Sequence, residues 1–382
     1  VELENPIPYF TSLTVFGTFL PMNEAFVEEQ GDAYATSTDT LLFNGPFTLE
    51  NWESTSNEWS IVKNPDYWDA DTVQLEQVNF TVVKEVQTAV DLYNQGKIDR
   101  TGLTADLVDQ YRNDPNFFTF SDVAVFYLKM NQERNGEETP LANKNIRNAI
   151  ARAFDKQAMV DNILNNGSLP ANYLVPTDFT THPETGETFR DINGDLMTYD
   201  PELAQEYWEK GLEELGVDSL EIEYLGDDSD TAKIMSEFLK NQLETNLPGL
   251  TLNIKAVPFE QRLDLSTNQD YDIVHSGWGP DFLDPYTWLS LFVTDGGNNE
   301  MSYSNPEYDA LIESTSTTLA TDEVARYEAF LEAEKILFED AAIAPTYERF
   351  NAQLWSPKLQ GIQINKFGAT YEYKWAYAGP VE

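Results

Sequence analysis

Strand-like runs alternate with helix-period runs along the whole chain, and no Pro- or Ser-rich tether interrupts them. That alternation confines the fold to the α/β or mixed α+β class. Val78-Asn-Phe-Thr-Val-Val83 has the branched and aromatic content of a strand. Directly after it Val86, Ala89, Val90 and Tyr93 fall at i, i+3, i+4 and i+7, an amphipathic helix that Gly96 stops. Ile146, Ala149, Ile150, Ala153 and Phe154 repeat that spacing, and Asp155 reads as the N-cap of a second short helix carrying Met159, Val160 and Ile163. Asp200-Pro201 starts a helix burying Ala204, Tyr207, Trp208 and Leu212 and ending at Gly216. Ile234, Met235, Phe238 and Leu239 mark a further helix, Asp284-Pro285 and Asn305-Pro306 two more starts, and Val324, Tyr327 and Leu331 one face of a long helix. Asn44 to Glu50 reads as a turn feeding a strand, Leu252 to Ala256 and Tyr271 to His275 read as strands, and two closing strands are read at Ala342 to Tyr347 and Ala352 to Trp355.

A chain of 382 residues is long enough for two or three domains. Two lobes would be joined by short strand-like crossings, which suits hinge closure about a cleft. Charge narrows the partners. With 23 Lys+Arg against 66 Asp+Glu the net charge is −43, which argues against nucleic acid and against an anionic membrane surface. It favours solubility, a cationic or neutral partner, and an extracellular or salt-exposed setting. The aromatic share, 13 %, argues against a disordered acidic chain. The chain has no Cys, so disulfides, thiolate zinc sites and a Cys nucleophile are excluded. No apolar run approaches the ~20 residues of a membrane span. No signal peptide is read, and the chain opens at Val1 like the interior of a protein, which predicts a processed chain or a fragment.

Sequence signatures of catalysis are missing. There is no P-loop, no dinucleotide fingerprint, no Gly-x-Ser-x-Gly and no His-Glu-x-x-His. The two histidines, His182 and His275, are too few for a His-rich metal centre, and His182 reads as a loop residue before Pro183. Asp191, Asn193, Asp195 and Glu202 mimic a calcium loop, but Leu196 stands where its turn needs glycine, so a polar loop before a helix accounts for the same letters.

The most informative segment runs from Tyr271 to Leu289. A strand ends at Gly277-Trp278-Gly279-Pro280, followed by Asp281 and the Asp284-Pro285 helix start. Glycines at 277 and 279 let a backbone approach another chain closely. A carboxylate on such a turn beside Trp278 suits an ammonium partner. The letters alone fit equally well two capping residues, Asp281 and Asp284, in a turn.

The Gly277-Trp-Gly-Pro-Asp281 to Asp284-Pro285 segment resembles the ligand loop of the extracellular solute-binding proteins of family 5, the large peptide receptors of ATP-driven importers. Asn44-Gly-Pro-Phe-Thr-Leu49 with Lys63-Asn-Pro-x-Tyr-Trp68 is similar to the family's strand-and-turn signature, Asn145-Ile-Arg-Asn-Ala-Ile150 with Phe154-Asp-Lys156 to its helix, and Ile343-Ala-Pro-Thr-Tyr347 to its closing strand. The stretch from Phe189 to Pro201 resembles Gram-positive oligopeptide receptors in particular. The resemblance implies a two-lobed, periplasmic-binding-protein-like α/β fold (type II, cluster C), with roughly the first 150 residues of a family member absent. Residues 1–28 would be the tail of a small extra domain, 29–127 and 351–382 the first lobe, and 128–350 the second, anchor-bearing lobe.

Residue by residue, the resemblance makes Asp281 the anchor for a peptide's α-ammonium, and Trp278 and Gly279 the loop whose backbone pairs with the peptide. It places Phe259 and His275 at side-chain pockets, Tyr347 and Arg349 on the closing strand near the cleft, and Asn131 at the lobe crossing. It implies a non-enzymatic receptor of an ABC peptide importer that holds extended oligopeptides between its lobes. The receptor would be extracellular, lipid-anchored in full length and monomeric, with no cofactor and with a membrane permease as partner. Alternative readings are a signalling receptor for one peptide pheromone and, from acidity and aromatics, a secreted glycoside hydrolase.

Overall fold

The computed structural model describes residues 1–3, 6–104 and 106–379. The chain divides into two compact units, 13–120 with 351–382 and 1–12 with 121–350. The joins fall at 12/13, 120/121 and 350/351, where the sequence reading put them at 28/29, 127/128 and 350/351. Among the described residues no helix is long and apolar enough to cross a membrane.

In the smaller unit, β1 (Phe47–Glu50), β2 (Glu58–Lys63) and β3 (Gln77–Thr81) form an antiparallel sheet. The i, i+3, i+4 stripe after it is helix α1 (Val86–Asn94), with Ala89 and Val90 buried. Val90 packs in a small core with Leu103 of β4 (Arg100–Leu103), Val108, Ala352 and Leu354.

The larger unit carries the main core. It holds most of β5 (Phe117–Met130), then α2 (Lys144–Arg152) and α3 (Pro201–Leu215). A β-α-β run follows: β6 (Leu220–Asp227), α4 (Asp230–Asn246) and β7 (Leu250–Val257). Next come α5 (Phe259–Thr267), β8 (Ile273–Trp278), the short α6 (Tyr286–Leu289), α7 (Pro306–Ser316), α8 (Glu323–Glu339) and β9 (Ile343–Trp355). The strand order is β7-β6-β8-β5-β9, and β6 and β7 pair in parallel from Leu220↔Leu250 to Asp227↔Val257. Trp208, Trp288, Tyr127, Phe292 and Phe330 are among its large buried side chains.

Local signals set the helix ends. Asp200 Oδ1 accepts from the Leu203 N–H at 3.0 Å and Pro201 opens α3, which Gly216 closes in the left-handed conformation (φ 69°). Asn305 Oδ1 accepts from Glu307 N at 2.9 Å and caps α7 in the same way. The family-like α2 motif holds backbone. Arg147 donates to the Leu141 and Ala142 carbonyls (both 2.8 Å) and to the Asp340 carbonyl (2.9 Å), tying the start of α2 to the end of α8. The residues of the calcium-like run serve the fold too: Asp191 Oδ2 accepts from the Thr188 N–H at 2.9 Å, and Asn193 donates to the Leu331 carbonyl at 3.0 Å.

The helix marked by Ile234 to Leu239 is α4, whose buried face is made by Met235, Leu239 and Leu243 while Ile234 is exposed. One expectation is corrected. The two closing strands are the single strand β9. Its polar middle continues the strand because tertiary partners satisfy it: Glu348 accepts from Tyr173 Oη at 2.9 Å and from Thr177 N at 3.1 Å.

Candidate functional site

Strand β8 is bonded along both edges only at its start. All six residues pair antiparallel with β5, from Ile273↔Met130 to Trp278↔Val125. On the other edge only Ile273 and Val274 pair with β6, opposite Tyr224 and Leu225. From His275 onward that edge has no strand partner among the described residues. The His275 carbonyl accepts from Arg262 Nη1 at 3.3 Å. Alternate residues of a strand turn the same way, so Gly277 presents its N–H and C=O to the same open edge.

Gly277 has a steric reason. A Cβ there would sit 2.7 Å from two atoms of the Phe126 ring, so only glycine lets that ring lie across the strand. At exposed Gly279 the nearest atom to a built Cβ is Ala124 Cβ at 3.9 Å, and nothing crowds the position. The close approach at 277 is therefore made by a side chain of this protein.

Past Trp278 the chain turns, and Thr287 Oγ1 gathers the turn. It accepts from Trp278 Nε1 at 3.4 Å and from the Asp281 N–H at 3.2 Å. The two acidic residues here have different environments. Asp284 is buried and takes two bonds from Arg326, at 2.7 and 2.8 Å, while its Oδ1 also accepts from the Tyr286 N–H at 3.0 Å. Asp281 is half-buried, and among the described residues its carboxylate has neither an ion pair nor a hydrogen bond. Burial pushes its pKa up. Of the two readings open in the sequence, the stapling one belongs to Asp284.

Around the second half of β8 the structure gathers most of the other predicted residues. His275 Nε2 lies 3.2 Å from Thr346 Oγ1, with the rings of Phe126 and Tyr347 5.6 and 5.9 Å away. Burial, and then the Arg262 guanidinium, pull its pKa down to about 3, so the imidazole is neutral. Tyr347 stacks flat on Phe126, with centroids 4.7 Å apart and planes 9° apart, and burial raises its pKa so that the phenol keeps its proton. Arg349 pairs with Asp122 and lies 5.0 Å from the Phe126 ring, and its buried Nε has no hydrogen-bond partner among the described residues. Phe259 opens α5 on the surface, 57 % exposed, 5.0 Å from the Arg262 guanidinium, whose Nε pairs with Asp227 at 2.8 Å.

Asn131 stands apart. It follows Met130, the partner of Ile273, and so lies at the opposite end of β8 from Trp278, roughly 20 Å along the strand. Its side chain is fully buried and its Nδ2 donates to the Gln269 and Tyr271 carbonyls, both at 3.0 Å. Phe126, Arg262 and Thr287 are site-shaping residues that the sequence did not single out. A large side chain opposite Gly277 would have been the signal for Phe126, had the register been known.

Residues 1–300 match the profile described as bacterial extracellular solute-binding proteins, family 5 middle. The chain belongs to the family 5 extracellular solute-binding proteins. It is similar to the dipeptide-binding protein of Lactococcus lactis subsp. cremoris (strain MG1363), 35 % identical over 389 residues, covering 99 % of this chain and 70 % of that one. It is similar in structure to Listeria monocytogenes OppA bound to peptide, with a TM-score of 0.94 and 46 % identity, covering 100 % of this chain and 73 % of the other. The pheromone receptor PrgZ matches with a TM-score of 0.91 and 33 % identity, over 99 % of this chain and 73 % of its own. The fold is thus the mixed α/β, OppA-like periplasmic-binding-protein fold. Family 5 members bind solutes outside the cell, and their common property is binding rather than catalysis.

Proposed function

We propose that the chain is the substrate-binding component of an ABC importer for peptides, and that Asp281 receives the α-ammonium of the bound peptide. The observation that carries this reading is the half-buried Asp281 carboxylate with no partner among the described residues, three positions from an Asp that is fully paired. A carboxylate held partly out of water favours a cation, and a charge-assisted bond to an ammonium is among the stronger hydrogen bonds. The open edge of β8 leads toward that carboxylate. An extended peptide pairing along it through Gly277 and Gly279 would offer backbone groups that every sequence shares, which gives affinity without reading side chains. His275, Tyr347 and Phe126 supply a neutral aromatic wall beside that edge. The names of the relatives support peptides as the solute class. A membrane permease follows as the partner.

The test is equilibrium dialysis against a random tetrapeptide pool and the same pool N-acetylated, read by mass spectrometry. A charge-assisted bond contributes about 1.5–3 kcal/mol, so Asp281→Ala should lower retention of free-amine peptides about 10- to 150-fold. The acetylated pool should change little. Equal losses for both pools would remove the anchor role. A second reading, a signalling receptor for one defined peptide, draws on the likeness to PrgZ. Enrichment of a single sequence from the pool would favour it over a general importer.

A further inference from the structure

The larger unit includes residues 1–12, and one side chain of that segment reaches the turn that carries Asp281. Tyr9 stacks on Phe282 with ring centroids 4.4 Å apart and planes 10° apart, and on Tyr286 at 5.8 Å and 19°. Phe282 is the immediate neighbour of Asp281. The Arg326 guanidinium that pairs with Asp284 lies 5.5 Å from the Tyr9 ring centroid. A ring from the first dozen residues therefore bears on the residue after the anchor, on the start of α6 and on the buried cation at once.

The turn needs such a restraint. A carboxylate that is partly buried and unpaired gains by swinging out to water, because water solvates the charge that the protein leaves bare. Thr287 fixes the backbone before the anchor through the Asp281 N–H at 3.2 Å, and the Phe282 carbonyl accepts from Asp284 N at 3.0 Å. Those bonds hold the main chain. The stacked Tyr9 ring holds the Phe282 side chain, and with it the orientation of the peptide unit next to Asp281.

We propose that Tyr9 is a positioning residue for the anchor: its ring clamps the Phe282 turn and keeps the Asp281 carboxylate at the open end of β8. This rests on reading Asp281 as the receiver of a peptide amine. The same dialysis against free-amine and N-acetylated tetrapeptide pools tests it. Tyr9→Ala should lower retention of the free-amine pool by about three- to tenfold, the worth of one aromatic stack, with little change for the acetylated pool. Tyr9→Phe keeps the ring and should keep the wild-type ratio, while Tyr9→Leu, which fills the space without stacking, should fall between. In the absence of peptide, the amides of 282–284 should exchange hydrogen faster in Tyr9→Ala and Tyr9→Leu than in wild type. Equal losses for both pools, or unchanged exchange, would overturn the positioning role. Asp281→Asn separates the two ideas. If that variant keeps the wild-type preference for free amines, the anchor reading falls and takes Tyr9 with it; if it loses the preference while Tyr9→Ala keeps it, only the role of Tyr9 falls.

Discussion

Replacing Asp284 by Ala should be far more damaging to folding than replacing Asp281, although the two stand on one turn. Asp284 and Arg326 are both almost fully buried, 7 % and 6 % exposed, and their two contacts measure 2.7 and 2.8 Å. Without the carboxylate, Arg326 cannot escape to water, because its Nε still donates to the Thr315 carbonyl at 2.8 Å and its guanidinium lies 4.7 Å from the Phe330 ring centroid. Removing one partner of a buried pair leaves such a charge uncompensated, at a cost of about 3–5 kcal/mol. The lost acceptor for Tyr286 N places Asp284→Ala toward the upper end. The double variant Asp284→Ala with Arg326→Met removes the stranded charge and fills the site with an apolar side chain, so it should be more stable than Asp284→Ala alone. Urea unfolding of Asp284→Ala, Arg326→Met and the double variant beside wild type measures this, with unchanged m-values as the check that compactness is preserved. A loss under about 1 kcal/mol for Asp284→Ala, or a double variant that loses the sum of both single losses, would refute the assignment of Asp284 as the buried staple.

Two pH-linked outcomes follow from the other titrating groups of the site. Burial raises the Asp281 pKa, so its ionisation opposes folding above that pKa, and Asp281→Asn should raise the urea midpoint of the peptide-free protein at pH 7. The gain should vanish below the ordinary Asp range, where the carboxyl is protonated folded or unfolded; a midpoint that does not move at pH 7 would mean the carboxylate is already satisfied. His275 behaves in the opposite way: with its folded pKa near 3, the unfolded chain takes up a proton that the folded one refuses as pH drops below ~6.5. Stability carried by this group is lost between about pH 6.5 and pH 3, by at most about 1.4 kcal/mol per pH unit. His275→Asn should flatten that part of the stability profile, and an unchanged slope would show that the ring titrates freely.

What could be read from the letters was local. Asp200-Pro201 and Asn305-Pro306 announce helix starts because each cap bonds an N–H only two or three residues away. The Tyr271 to Leu289 segment declared itself for the same reason, since strand, glycines, acid and helix start are contiguous. The division of labour between Asp281 and Asp284 was not readable, because it is decided by Arg326 on α8, far along the chain. The continuity of β9 was hidden by Glu348 and Arg349, whose charges break the apolar pattern and are satisfied by Tyr173, Thr177 and Asp122. Asn131 entered through the family resemblance, which places it at the lobe crossing. In the structure its bonds to the Gln269 and Tyr271 carbonyls close the loop before β8, a contact no local pattern announces.

The pairing of β8 with β5, residue for residue from Ile273 to Trp278, has a bearing on how this protein can change over generations. Strand side chains alternate, so losing or gaining a single residue there would invert every strand residue that follows and throw the Trp278 indole to the reverse side of the sheet. Indels should therefore be purged from that hexamer far more strictly than point changes. Leu283, although solvent-facing, stands between Phe282 and the paired Asp284, so its side chain is free to vary while its place in the count is not.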